Sequence, residues 1–84
     1  MKRITMYTGP FCNYCEAAKR LFLRNNAPFN EIDISKVEGA MDEMIKKANG
    51  KRTIPQIFFG NRHIGGYDEV RALEKENKLK DLLK

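Results

Sequence analysis

The sequence predicts an α/β fold, one small sheet covered by helices, in a single domain spanning residues 1–84. Three patterns carry that reading: a strand-helix-strand opening, a second stretch of apolar residues at helical spacing, and a late pair of strands joined by a tight turn. The resulting order is β-α-β-α-β-β-α, with no linker, repeat or low-complexity tract between elements.

Ile4 to Tyr7 alternates apolar and polar residues and runs into Gly9-Pro10, the signature of a strand ending in a turn. From Asn13 to Asn25, Cys15, Ala18, Leu21 and Phe22 recur at helical spacing, and Asn25-Asn26 with Pro28 closes the helix. Phe29 to Ile34 alternates again as a second strand. A strand-helix-strand unit of this kind normally makes a parallel pair.

Ser35-Lys36-Val37-Glu38 has the form of a capping box, in which the serine accepts from the Glu38 N–H and the glutamate reaches back. A helix is therefore expected from Val37, with Ala40, Met41, Met44, Ile45 and Ala48 as its apolar face and Asn49-Gly50 as its stop. The methionines there read as core filler. After Pro55, Gln56-Ile57-Phe58-Phe59 is strand-like, and Gly60-Asn61 turns into Arg62-His63-Ile64. Gly65-Gly66 interrupts. Asp68 is the expected cap of a last helix whose apolar side, with that of a final turn, comes from Val70, Leu73, Leu79, Leu82 and Leu83.

Composition excludes several classes. A chain of 84 residues is short even for one domain, which usually runs to roughly 100–150 residues. Its 42% hydrophobic content is enough to offset chain entropy, so a disordered tail is excluded. No apolar run approaches the ~20 residues of a membrane span, and no secretory signal follows Met1-Lys2-Arg3-Ile4-Thr5-Met6-Tyr7, so the expected location is the cytosol. The net charge of +5 is spread along the chain and alternates with acids, as in Glu74-Lys75-Glu76-Asn77-Lys78. That is the habit of a solvated helix face, and neither a nucleic-acid nor a membrane partner is expected.

The two cysteines stand together as Cys12-Asn13-Tyr14-Cys15, too few for a disulfide framework. A zinc site wants four ligands, and the other soft donor, His63, is far along the chain, so no metal site is expected. What remains is a working dithiol or two plain buried thiols. The first strand delivers Cys12 to a helix start, where unpaired N–H groups and peptide dipoles stabilise a negative sulfur and pull a thiol below its free pKa of about 8.5. Cys15 sits one turn later on the same side. The expected roles are Cys12 as attacking thiolate and Cys15, drawn toward the core beside Ala18, as resolver.

Tyr7-Thr8 followed by the Cys12 to Cys15 pair with Tyr14 inside it, then Thr53-Ile54-Pro55-Gln56, then Gly65-Gly66-Tyr67-Asp68, resembles a glutaredoxin in motif order and spacing over essentially the whole chain. The resemblance implies a thioredoxin-like fold, a four-stranded mixed sheet flanked by helices, with Pro55 in cis. It implies glutathione as co-substrate and a monomer acting on disulfide or glutathionylated proteins, ribonucleotide reductase being one candidate.

It also implies site roles. Thr53 and Ile54 would present backbone to the cysteinyl residue of glutathione beside Pro55, with Tyr14 and Tyr67 walling the groove. Gly66 would lead into a helix start whose N–H groups hold the γ-glutamyl carboxylate, and Asp68 would hold the ammonium.

Two positions depart from the family. Gly9 stands where a lysine commonly meets the glycine carboxylate, and Lys51 or Arg52 is the expected replacement cation. Asn13 stands where familiar dithiol members have proline, which raises a secondary expectation of a [2Fe-2S] cluster shared between two protomers with glutathione as co-ligand. The rival readings are a redoxin fed by thioredoxin reductase, a non-enzymatic iron-sulfur carrier and a basic nucleic-acid-binding module.

Overall fold

The computed structural model describes residues 1–84. Its elements are β1 (Ile4–Thr8), α1 (Asn13–Arg24), β2 (Phe29–Asp33), α2 (Ala40–Lys47), β3 (Gln56–Phe59), β4 (Arg62–Gly65), α3 (Tyr67–Lys75) and α4 (Leu79–Leu83). The sheet order is β2-β1-β3-β4. β1 pairs parallel with β2, which requires a crossover that α1 supplies, whereas β1–β3 and β3–β4 are antiparallel. This is the four-stranded mixed sheet of the thioredoxin-like fold. No helix is long and apolar enough to cross a membrane.

Successive side chains of a strand point to opposite faces, so the two central strands divide their residues between two apolar layers. Ile4 and Met6 of β1 and Ile57 and Phe59 of β3 pack with Ala18, Leu21 and Phe22 of α1, Val70 of α3, and Leu79 and Leu83 of α4. Tyr7 and Phe58 face the other way and pack with Met44 and Ala48. The Tyr7 hydroxyl donates to the Glu43 carboxylate, which ties β1 to α2.

Two local expectations are overturned. The Ser35–Glu38 capping box does not form, and α2 begins at Ala40 instead of Val37. Asp33 Oδ1 takes both the Ser35 N–H (2.9 Å) and the Ser35 hydroxyl (2.6 Å), so the serine is spent on a turn around its own backbone. Gly39, at φ +80°, then precedes the helix in the left-handed region. Val37 and Met41 accordingly stay exposed while Ala40, Met44 and Ala48 supply the core. Nor does Asp68 cap the last long helix: Gly66 holds that position, and Asp68 lies exposed in the first turn.

The helices of the larger layer are joined by polar contacts at their far ends. Arg24 donates to Glu74 through Nε (2.9 Å) and Nη2 (2.7 Å), and Asn25 Nδ2 donates to the same carboxylate at 2.7 Å. The Arg24 fork, with Asn25 assisting against partial burial, pulls the Glu74 pKa from 4.5 down to about 2. Folding therefore favours the carboxylate, a contribution complete above pH 4.5 and lost as pH falls toward 2. Glu74→Gln should lower the urea midpoint near neutrality, and its difference from the parent should shrink steadily through that acid window; a gap that widens on acidification refutes the assignment.

Candidate active site

β1 ends against a short turn, Gly9-Pro10-Phe11, before α1 begins. Phe11 takes φ +55° and its ring is fully exposed, outside the cleft described below. Cys12 is the N-cap of α1, with extended backbone, and Asn13 is the first helical residue. Cys12 is half-buried, whereas Cys15 is 1% exposed beside Ala18, as the apolar spacing of α1 predicts. The two are joined as a disulfide with Cα atoms 5.2 Å apart. The Cys15 N–H, one of the donors that a helix start leaves unpaired, points to Cys12 Sγ at 3.1 Å.

Cys12 Sγ also lies 3.8 Å from the carbonyl oxygen of Ile54. The Ile54–Pro55 peptide is cis. Gly9 bears on this approach, because a Cβ placed there would sit 2.7 Å from Ile54 Cδ1. Any side chain at position 9 must push Ile54 aside.

Ile54 also lines a cleft of about 490 Å³, which neither Cys12 nor Cys15 lines directly. Tyr14, Lys51, Thr53, Ile54, Pro55, Gly66, Tyr67 and Asp68 all line it, so the residues picked out in sequence from three separate segments converge. The rings of Tyr14 and Tyr67 stack at 6.0 Å with 24° between planes, joining the start of α1 to the start of α3. Of the two candidate cations, Lys51 lines the cleft and Arg52 does not.

Five further residues line the cleft that the sequence did not assign to it: Gln56, His63, Ile64, Gly65 and Glu69. Gln56 is 2% exposed, and its Nε2 donates to Thr53 O (3.0 Å) and Thr53 Oγ1 (3.1 Å). His63 Nε2 meets Gln56 Oε1 at 2.7 Å. Burial, and then the positive charge of Lys51, lower the His63 pKa against the opposing pull of Glu69. The signal that could have found this set is Gln56 itself, a polar residue opening an otherwise apolar strand, which must acquire partners when buried. Glu69 accepts the Gly66 N–H at 2.6 Å, so one donor at the start of α3 is already engaged by the chain. No group of three His, Cys, Asp or Glu side chains gathers in a metal-holding arrangement.

A cysteine pair at the first helix start of such a sheet, with the cis-proline loop against it, defines the thiol-disulfide oxidoreductases of the thioredoxin-like class. Comparison with known proteins narrows the class. The glutaredoxin family profile matches residues 4–64. Glutaredoxin 1 of Rickettsia prowazekii is 43% identical over 81 residues, covering 95% of this chain and 85% of that protein. The solution structure of glutaredoxin from Brucella melitensis superposes with a TM-score of 0.85 at 48% identity, covering 100% of this chain and 90% of that one. The crystal structure of a buckwheat glutaredoxin-glutathione complex superposes with a TM-score of 0.85 at 28% identity, over 98% of this chain and 76% of that one. The chain belongs to the glutaredoxin family, whose general activity is glutathione-dependent thiol-disulfide oxidoreduction.

Exposure separates the two sulfurs chemically. After reduction, a limiting dose of iodoacetamide should label Cys12 well ahead of Cys15, read by peptide mass spectrometry; equal labelling would contradict the burial of Cys15.

Proposed function

We propose that Cys12 is the attacking thiolate of a glutathione-dependent oxidoreductase that reduces glutathionylated proteins and protein disulfides. The observation that carries the reading is the Cys15 N–H aimed at Cys12 Sγ on the open side of a helix start, a donor placed to stabilise sulfur charge. The thiolate attacks the glutathione sulfur of a mixed disulfide; the protein leaves as a thiolate and takes a proton, and glutathione stays bonded to Cys12. A second glutathione thiolate then attacks that glutathione sulfur, releasing oxidised glutathione and the Cys12 thiolate.

With a protein disulfide, the Cys12 thiolate attacks one substrate sulfur, the substrate S–S bond breaks, and the other substrate sulfur leaves as a thiolate that takes a proton. Cys15 then attacks Cys12, freeing the second substrate thiol and leaving the Cys12–Cys15 bond. Two glutathiones restore the dithiol. The expected setting is a monomer in the cytosol, with a protein disulfide such as that of ribonucleotide reductase among its substrates.

Glutathione has two carboxylates and one ammonium, and the cleft has charges to match. Lys51 stands at the 51–55 wall for the glycine carboxylate. The N–H groups of Tyr67 and Asp68 start α3 and suit the γ-glutamyl carboxylate, with the Asp68 side chain for the ammonium. Thr53, Ile54 and Pro55 form the wall for the cysteinyl residue, and Tyr14 and Tyr67 flank it. A [2Fe-2S] cluster takes four ligands. A cluster shared between two protomers with glutathione as co-ligand asks fewer than that of one chain, so the lack of a three-ligand group does not bear on it, and no step of the proposed activity runs through one.

Cys12→Ser should abolish turnover of every substrate, whereas Cys15→Ser should spare deglutathionylation and lose reduction of protein disulfides; the reverse pattern overturns the roles. An exposed ion pair is worth about 0.2–1 kcal/mol, so Lys51→Ala should raise KM for a glutathionylated peptide by about 1.5- to 5-fold. Arg52→Ala should leave it near the parent value, and an unchanged KM in both variants removes Lys51 from the site.

A further inference from the structure

The network behind the cleft wall has a direction that the chemistry of its groups determines. One end of the Gln56 amide faces the carbonyl oxygen of Thr53, a group that can only accept, so that end must be the NH₂. The other end is then a carbonyl oxygen and must accept in turn. The ring nitrogen 2.7 Å from it, His63 Nε2, therefore carries a proton. The same Nε2 of Gln56 also donates to Thr53 Oγ1, which leaves the Thr53 hydroxyl proton free to donate elsewhere. No buried side-chain nitrogen or oxygen in the molecule lacks a partner.

We infer that His63 and Gln56 are positioning residues: His63, through the Gln56 amide, holds Thr53 so that the wall beside Cys12 presents its backbone and its hydroxyl donor to a bound thiol peptide. The placement is mechanically sound. Gln56 opens β3 in the middle of the sheet, and His63 belongs to the neighbouring strand, where its ring lies 5.0 Å from that of Phe58. Thr53, by contrast, is exposed and belongs to no strand or helix. The rigid sheet thus orients the loose segment, the arrangement by which supporting groups fix a binding residue.

The charged groups acting on the ring are Lys51 and Glu69, and neither replaces the proton that the relay needs. Both the neutral Nε2–H tautomer and the imidazolium donate from Nε2, so titration of His63 leaves the hydrogen bond in place. Loss of the donor, by contrast, frees the amide to rotate and Thr53 to move with it.

This inference rests on the proposed glutathione reading, and two measurements separate their fates. His63→Phe keeps a ring against Phe58 and removes the donor, whereas His63→Gln keeps an N–H donor. A hydrogen bond of this kind contributes roughly a 2- to 10-fold effect, so His63→Phe should raise KM for a glutathionylated peptide by that factor. The kcat should move far less, and His63→Gln should recover most of the loss. An unchanged KM in His63→Phe, or an equal rise in both variants, overturns the inference. In the unsubstituted protein, ¹⁵N NMR of the imidazole at neutral pH should find the proton on Nε2; an unprotonated Nε2 overturns it without reference to activity. If the unsubstituted protein fails to turn over the glutathionylated peptide, the functional reading fails while the NMR result still judges the relay.

Discussion

The rest of the site depends on one contact, the Cys15 N–H directed at Cys12 Sγ where α1 begins. A helix cannot pair its first N–H groups internally, so an N-cap side chain must supply an acceptor. The usual caps are oxygen side chains. Here a cysteine fills the position, and on the proposed reading the unmet demand of the helix favours negative charge on its sulfur. The cap and the candidate nucleophile are thus the same atom, and the second cysteine contributes its backbone to that contact and its side chain to the disulfide.

That contact has a structural requirement on each side. The parallel β1–β2 pair needs α1 as its crossover, which is why the helix start lies at the end of β1. Cys15 must lie on the buried stripe with Ala18, Leu21 and Phe22, so Cys12, three residues earlier and off the helix proper, is left half-exposed. The difference in accessibility between the two thiols follows from helix periodicity and from the end of the helix. No additional device is required.

How much of this was legible in sequence depended on whether the signal was local. β1, β3 and β4 were readable because alternation and the Gly60-Asn61 turn act within a few residues, and α1 was readable from its apolar spacing. The start of α2 was misread because Ser35 had a closer partner in Asp33, a competition that capping patterns do not register. Asp68 was misread as a cap because Gly66, without a side chain, gives no such signal, and Glu69 meets its N–H from the first turn. Seven of the cleft residues were found through motif resemblance and Lys51 as a replacement cation, but their convergence is a property of the sheet. The Gln56–His63 pair escaped notice because it joins two strands side by side, a relation that no spacing along the chain encodes.

Gly9 and Lys51 bear on how one site can move a charge without losing its shape. The absent side chain at position 9 lets Ile54 approach the turn that precedes Cys12, since even a Cβ there would come within 2.7 Å of Ile54 Cδ1. A lysine at that position and the present seat of Ile54 are therefore mutually exclusive without a shift of the isoleucine. The segment that presents Ile54 begins with Lys51, which lines the same cleft, so a cation remains available from the wall itself. On the proposed reading, the positive end of the cleft is carried by the 51–55 segment and the negative end by Asp68 and Glu69 at α3. Ligand orientation then depends on the segment that the sheet, through Gln56, holds in place.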